Sequence, residues 1–105
     1  YIFTPQSPLL NGELGAFHAS ELPYVFGVQN SETYKQWTPN YRDSTSGLMQ
    51  DAWTNFAKNG DPSANNFTCK PFKNDKNYAL IGSSINNVQS PFNERYKLIN
   101  HAKNF

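Results

Sequence analysis

Residues 15–27 of this 105-residue chain read GAFHASELPYVFG, a glycine-bounded segment in which small and aromatic side chains surround His18. Histidine is the residue whose charge changes near neutral pH without help from its surroundings. Unassisted acid–base chemistry therefore falls to His18 or His101, the two histidines of the chain. A histidine in a loop is more often a surface or packing residue than a catalytic one, so the spacing in residues 15–27 leaves the role of His18 open.

The other reactive side chains lack the arrangement that catalysis needs. His101 falls near the end of a predicted helix, where an imidazolium interacts favourably with the helix dipole, and we interpret it as structural. Glu21 lies three residues after His18, which suits a shared helical face, and a structural or capping role is favoured for it. Ser20 has no activating base beyond its proximity to His18 in the sequence. Cys69 has a lysine beside it but no positioned histidine, so we expect a buried or unpaired thiol.

The clearest secondary structure is a helix that Asp43 or Ser44 can cap. Gly60 suits the left-handed position after a helix, and Asp61-Pro62 then ends it. The apolar side chains between these signals recur at helical spacing and predict a face packed on a core. They are Leu48, Met49, Ala52, Trp53, Phe56 and Ala57.

Shorter elements are predicted on both sides of this helix. They are a strand within residues 1–6, a helical turn over residues 21–26 that Gly27 ends, and a strand over residues 78–81. Ser90 can cap a second helix with Pro91 at its first position. The remaining segments are predicted as loops, with short helical pieces after Gly27. These strands are too few to complete a sheet, so we expect the partner to be upstream chain.

Composition limits the functions that the chain can carry. Only 37% of the residues are hydrophobic, which predicts a thin core. A net charge of +1 without runs of like charge argues against nucleic-acid binding or a polybasic membrane anchor. One cysteine and two histidines suit neither a disulfide-stapled miniprotein nor a closed zinc site. No apolar stretch approaches the ~20 residues of a membrane span. We expect no metal, no other cofactor, no nucleic acid and no membrane span.

Two motifs bear on function. A serine nucleophile elbow needs G-x-S-x-G, and the nearest match, Gly82-Ser83-Ser84-Ile85-Asn86, lacks the closing glycine. Asn66-Phe67-Thr68 has the pattern of an N-glycosylation acceptor, which matters in a secretory setting. Because the chain contains 14 asparagines, a chance match is easy, and the motif alone does not establish secretion.

Residues 15–27 resemble the catalytic-histidine segment of type-B carboxylesterases, the family that includes cholinesterases and bacterial para-nitrobenzyl esterases. Residues 49–62 read MQDAWTNFAKNGDP and are similar to the family's W-x-N-F-A-x-x-G-x-P helix end. Pro71-Phe72, residues 78–80 and the terminal helix are similar to the family's C-terminal tail. The order and spacing of these segments fit, and the likeness spans nearly the whole chain.

The resemblance implies the α/β class, with residues 1–105 as the C-terminal segment of an α/β-hydrolase domain, only its last strands and helices and incomplete as it stands. It implies a serine carboxylic ester hydrolase in which His18 is the catalytic base and later the general acid. The triad order in this fold is serine, acid, histidine, so the serine and the acid are expected upstream. Glu21 matches the family's acidic position after the histidine, where it steadies the loop. The chain alone is then expected to be inactive.

Alternatives stay open. Cholinesterase-like adhesion proteins keep the fold without a working triad, so the chain can belong to a non-catalytic interaction domain or be an inactive gene fragment. A third possibility is an independent binding module. The resemblance also implies a small-molecule ester as substrate, upstream chain as partner, a homo-oligomer through the helix from Ser90 to Phe105, and a secreted or secretory-pathway location.

Overall fold

The computed structural model describes residues 1–39, 44–73, 75–90 and 92–103. Its elements in chain order are strand β1 (Ile2–Phe3), a 3₁₀ helix (Leu9–Gly12), helices α1 (Leu22–Val25) and α2 (Thr45–Asn59), strands β2 (Asn77–Ile81) and β3 (Ile85–Gln89), and helix α3 (Asn93–Ala102). The strands form one sheet in the order β1-β2-β3, and the buried face of α2 packs against it.

The sheet joins segments that are far apart in the sequence. β1 pairs with β2 in parallel, with Ile2 opposite Leu80. β2 pairs with β3 antiparallel, with Ile81 opposite Ile85. A hydrogen bond from the Gly82 N–H to the carbonyl two residues later, at 3.0 Å, closes the turn between β2 and β3.

β3 is a strand that the sequence did not predict. Ile85 is buried, but Asn86 and Asn87 belong to a residue type that is depleted in strands, so the local pattern favours a loop. Pairing with β2 supplies the backbone hydrogen bonds that override this preference. The strands predicted within residues 1–6 and over residues 78–81 are confirmed as β1, which is short, and β2.

α2 confirms the central predicted helix. Gly60 follows it in the left-handed conformation, with a φ of 73°, as the stop signal indicated. Ser44 holds the N-cap position, but its hydroxyl donates to Ser83 O at 3.4 Å instead of capping the helix. Asp43, the other predicted cap, lies outside the described residues.

The core is small, in agreement with the composition. Its buried apolar side chains come from α1, α2, the segment before β2 and the hairpin: Tyr24, Met49, Ala52, Phe67, Ile81 and Ile85. Fully burying a side chain such as Met49 stabilises the fold by about 1.5–3 kcal/mol, so this set gives limited stability. The predicted apolar face of α2 is only partly covered, since Phe56 is 60% exposed.

The predicted terminal helix begins later than the sequence indicated. It starts at Asn93 with Phe92, rather than Ser90, at the N-cap position. Pro91 and Phe105, which were predicted to belong to this helix, lie outside the described residues. None of the residues of α3 is buried, and its large apolar side chains are exposed.

Candidate functional site

His18 lies in the loop that connects β1 to α1, and it is exposed. β1 runs parallel to β2, so this loop starts at the carboxyl end of a parallel strand. In open α/β sheets, ligand-binding and catalytic loops gather at the carboxyl ends of the strands. The predicted histidine is therefore exposed in a loop that begins at this end of the sheet.

Backbone hydrogen bonds close the loop ahead of His18. The Ser7 N–H donates to Gly15 O at 3.0 Å, which holds the start of the loop against the segment that carries the histidine. Ser7 is buried, and its hydroxyl accepts a hydrogen bond from the Leu9 N–H at 3.2 Å. Gly15 has a φ of 56°, a conformation that glycine adopts without strain. The first half of the loop is therefore a closed unit.

A tight turn follows His18. The Ser20 N–H donates to Phe17 O at 3.0 Å, and the Leu22 N–H donates to Ala19 O at 3.2 Å. Ala19 has a φ of 68°, in the left-handed region, which costs a residue with a Cβ about 1–2 kcal/mol. Hydrogen bonds thus hold the backbone on both sides of His18, and the turn after it contains one strained residue, Ala19.

Aromatic packing anchors the residue before His18. Phe17 meets Trp37 edge to face with ring centroids 5.2 Å apart, and Tyr34 packs on the same indole at 4.9 Å. Such pairs contribute about 0.5–1.5 kcal/mol beyond the area they bury. The segment between α1 and α2, predicted only as loop with helical pieces, therefore packs against the histidine loop through Trp37.

Ser20 is 4% exposed, and its hydroxyl has no hydrogen-bond partner within the described part of the chain. Leaving a buried hydroxyl unpaired typically costs about 1–3 kcal/mol. The sequence offered no activating base for Ser20, and the described residues place none within hydrogen-bond distance of its hydroxyl.

Glu21 holds the N-cap position of α1 without capping it through its side chain. Its carboxylate accepts a hydrogen bond from the Tyr1 hydroxyl at 3.2 Å, and the Tyr1 ring packs on Trp53 of α2 with centroids 5.0 Å apart. Partial burial, followed by the charge and the hydrogen bond of Glu21, raises the pKa of Tyr1. Among the residues that the structure describes, no hydrogen bond or ion pair joins Glu21 to His18. Glu21 thus connects the loop to α2.

α1 confirms the predicted helical turn and is held on α2. The buried Ser46 hydroxyl donates to Tyr24 O at 2.7 Å and accepts a hydrogen bond from Gln50 Nε2 at 3.2 Å. Gly27 has a φ of 65°, and a Cβ at this position would clash with Gln50 Nε2. Sequence reasoning missed Ser46 and Gln50, although their spacing of four on the edge of the buried helix face was the available signal.

Two threonines fix the end of β1, from which the histidine loop leaves. The Thr4 hydroxyl donates to Ile81 O at 2.9 Å, and the Thr4 N–H donates to the same carbonyl at 2.9 Å. At the next residue, the first of the hairpin turn, the Thr45 hydroxyl of α2 donates to Gly82 O at 2.7 Å. The loop is therefore tied through β1 to both the sheet and α2.

The other candidates lie away from this loop. His101 is exposed in the last turn of α3. Cys69 is half-buried, and burial, followed by the charge of Asp61, raises the pKa of its thiol. The thiol is therefore protonated at neutral pH, which makes it a poor nucleophile. It lines an apolar pocket of about 660 Å³ that does not include His18. Other residues lining the pocket are Tyr1, Trp53, Phe56, Phe72, Tyr78 and Ile85.

Gly82-Ser83-Ser84 form the turn between β2 and β3 rather than a strand-to-helix elbow. In the regions that the structure describes, no three His, Cys, Asp or Glu side chains are close enough together to hold a metal ion. Over those same regions, no helix combines the length and the apolar composition that a membrane crossing requires.

Residues 1–99 match the carboxylesterase family. The chain is similar to a phenmedipham hydrolase of Pseudarthrobacter oxydans, with 30% identity in an alignment of 86 positions that covers 77% of this chain and 17% of that protein.

Solved structures show the same likeness. A PNB esterase matches 92% of this chain and 20% of its own, with a TM-score of 0.78 and 27% identity. A thermophilic PNB esterase also matches 92% of this chain and 20% of its own, with a TM-score of 0.77 and 26% identity. A carboxylesterase of Geobacillus stearothermophilus matches 90% of this chain and 20% of its own, with a TM-score of 0.73 and 25% identity. The chain spans about a fifth of the length of these relatives. The predicted class, the C-terminal part of an α/β-hydrolase fold, is confirmed.

Proposed function

This chain belongs to the carboxylesterase family, and from that premise we propose that it is the C-terminal segment of a serine carboxylic ester hydrolase domain. The observation that carries the proposal is the placement of His18, exposed in the loop that leaves the carboxyl end of a parallel strand, with hydrogen-bonded backbone on both sides of it. The proposed substrate is a small-molecule carboxylic ester. A secreted or secretory-pathway location is part of the proposal.

His18 is the base of the proposed reaction. It takes the proton of a serine hydroxyl while the serine oxygen attacks the ester carbonyl, and it gives that proton to the departing alkoxide. The acyl-enzyme that remains is hydrolysed when His18 activates a water in the same way. The serine, the acid that orients His18 and the donors that stabilise the oxyanion are proposed to come from upstream chain, in the order usual for this fold.

The contribution of this segment is to hold the imidazole in place. A misplacement of about 1 Å can cost a hundredfold in rate, so a general base needs a rigid support. The Ser7–Gly15 hydrogen bond, the Phe17–Trp37 ring pair and the link from Glu21 through Tyr1 to α2 give such support. In the proposal Glu21 steadies the loop and does not touch the reacting atoms.

The upstream chain is also the proposed partner. Several large apolar side chains are exposed in different parts of the fold, among them Phe26 at 70%, Phe56 at 60% and Leu98 at 71%. Burial of such side chains against further chain is favourable, because it removes apolar surface from water. The proposed domain would cover part of it with the strands and helices that precede residue 1.

A chimera tests the proposal. Residues 1–105 replace the matching part of a PNB esterase, and hydrolysis of a para-nitrophenyl ester is measured. We expect an active chimera, with His18→Gln lowering kcat by about 10³-fold or more, as removal of a triad member does. His101→Gln is the matched control, because it removes the histidine of α3, and it should leave kcat unchanged.

Folding of each variant is checked by its thermal transition before the rates are compared. A folded chimera whose kcat is the same with His18→Gln would contradict the role of His18. A folded chimera that is inactive with His18 in place would instead favour the non-catalytic interaction domain.

A further inference from the structure

One asparagine of this chain stands apart from the others in its sequence setting. Of the 14 asparagines, only Asn66 is followed two positions later by serine or threonine, with Phe67 rather than proline between. The enzyme that transfers oligosaccharides to asparagine reads this pattern, Asn-x-Ser/Thr. The motif is short, so its structural setting decides whether it can function as an acceptor.

Asn66 lies at the tip of a tight turn. The Ala64 N–H donates to Phe67 O at 3.0 Å, and the Phe67 N–H donates to Ala64 O at 3.3 Å. Asn65 and Asn66 are the two residues between this pair, and both are exposed. Thr68, the third residue of the motif, is exposed as well. The acceptor and the hydroxyl that the transferase reads are therefore both on the surface.

The base of the turn is fixed independently of its tip. The Ser63 N–H donates to Asp61 Oδ1 at 2.9 Å, and Ser63 O accepts a hydrogen bond from Asn55 Nδ2 of α2 at 2.8 Å. The Ser63 hydroxyl accepts a further hydrogen bond from the Cys69 N–H at 2.9 Å. Phe67 is 7% exposed and belongs to the core. A bulky hydrophilic group on the tip therefore displaces none of the contacts that hold the turn.

We propose that Asn66 is an N-glycosylation site, modified in the secretory pathway with an oligosaccharide carried on a polyprenyl diphosphate. The amide nitrogen of Asn66 forms a bond to the anomeric carbon of the sugar while the bond from that carbon to the diphosphate oxygen breaks. The lipid diphosphate leaves with the electron pair, and the amide nitrogen loses one proton. The inference rests on the secretory-pathway location proposed above and on the motif and the turn, but it does not depend on ester hydrolysis.

The experiment translates the full chain behind a cleavable signal peptide in the presence of microsomes. Only molecules protected from added protease are scored, so every scored chain has reached the lumen. We expect a single increase in apparent mass that peptide N-glycosidase removes, and none in Asn66→Gln. Asn65→Gln is the matched control, because it changes the neighbouring turn residue and leaves the acceptor intact; it should keep the shift.

Three further variants test whether the motif itself is read. Thr68→Ala should abolish the shift, whereas Thr68→Ser should retain it. Glu32→Thr combined with Asn66→Gln moves the acceptor to Asn30, in a segment where Asn30 and Glu32 are both exposed, and it should restore one shift. Protected wild-type chain that remains unmodified would overturn the proposal, as would a shift that survives Asn66→Gln.

Discussion

Ala19, directly after His18, has a left-handed backbone that would suit glycine better. Ala19→Gly removes strain of about 1–2 kcal/mol but gives the unfolded chain more freedom, which costs about 0.4–1 kcal/mol. We expect a net gain of about 0.5–1 kcal/mol in the free energy of unfolding, measured by urea denaturation. Ala57→Gly, at an exposed position inside α2, should instead lower it by about 1 kcal/mol. Equal effects at the two alanines would contradict this account of the turn.

Replacement by alanine should change the free energy of unfolding in opposite directions at two buried serines. Ser20→Ala removes a buried hydroxyl without a hydrogen-bond partner in the described residues and should raise the free energy of unfolding by about 1 kcal/mol. Ser46→Ala removes a buried hydrogen bond to Tyr24 O and should lower it by about 1 kcal/mol or more. Thermal and urea denaturation of the isolated chain measure both. A loss of stability in Ser20→Ala would show that its hydroxyl has a partner in solution.

For single residues, the sequence predicted His18 and Glu21 as site residues through the resemblance to a known family, and their roles stay predictions. It did not identify Trp37 or Ser46 as supports of the loop. Their contacts join residues about twenty positions apart, and composition and periodicity describe only local neighbours. The burial of Ser20, whose hydroxyl has no hydrogen-bond partner among the described residues, had no signal in the sequence, since burial of a small polar residue depends on how the elements pack.

Among the elements, α2 was predictable because its periodicity and its stop signal agree on one answer. β3 was not, because its asparagines argue against a strand and only pairing with β2 makes it one. The start of α3 was misplaced by the Ser90-Pro91 signal, which is a sound one for an isolated helix. Local preference therefore predicted α2, β1 and β2, whose side chains suit a helix or strand, and it missed β3, whose asparagines do not.

The end of α2 gives a prediction about pH. Asp61 Oδ1 accepts a hydrogen bond from the Ser63 N–H, and this bond lowers the pKa of Asp61. A carboxylate whose pKa is lower in the folded state stabilises the fold above its unfolded pKa, and this stability is lost as the pH falls through the folded value. Asp61→Asn keeps an acceptor oxygen but does not titrate. Its free energy of unfolding should therefore fall less between about pH 5 and pH 2 than that of the parent chain. The same acid dependence in both proteins would count against the contribution of Asp61.

α3 should contribute little to the stability of the rest of the chain, since none of its residues is buried. Deleting residues 92–105 is expected to change the free energy of unfolding by less than about 1 kcal/mol, as surface changes do. Urea denaturation of the shortened chain measures this. A larger loss would mean that α3 packs on the fold in solution, and a fall in oligomer mass on deletion would assign it to an interface between copies.

For the molecule as a whole, the proposed hydrolase makes a prediction about activity. The chain has no G-x-S-x-G elbow, so its histidine has no serine to activate. The isolated chain should hydrolyse para-nitrophenyl esters no faster than its His18→Ala variant, measured by release of para-nitrophenol. Hydrolysis above that control which also depends on a serine of this chain would contradict the division of the triad between this segment and upstream chain.

The pairing of Thr4 with Ile81 has a consequence for how the chain is made. The two residues are separated by 77 positions, so the strand that carries the histidine loop cannot join its sheet until nearly the whole segment exists. At synthesis rates of about 5–20 residues per second, the loop leaves the ribosome about 4–15 s before its anchor does. During that interval the strand end is unpaired and open to the wrong neighbours. A slow codon or a bound chaperone in this window would decide how much of the chain reaches its native pairing.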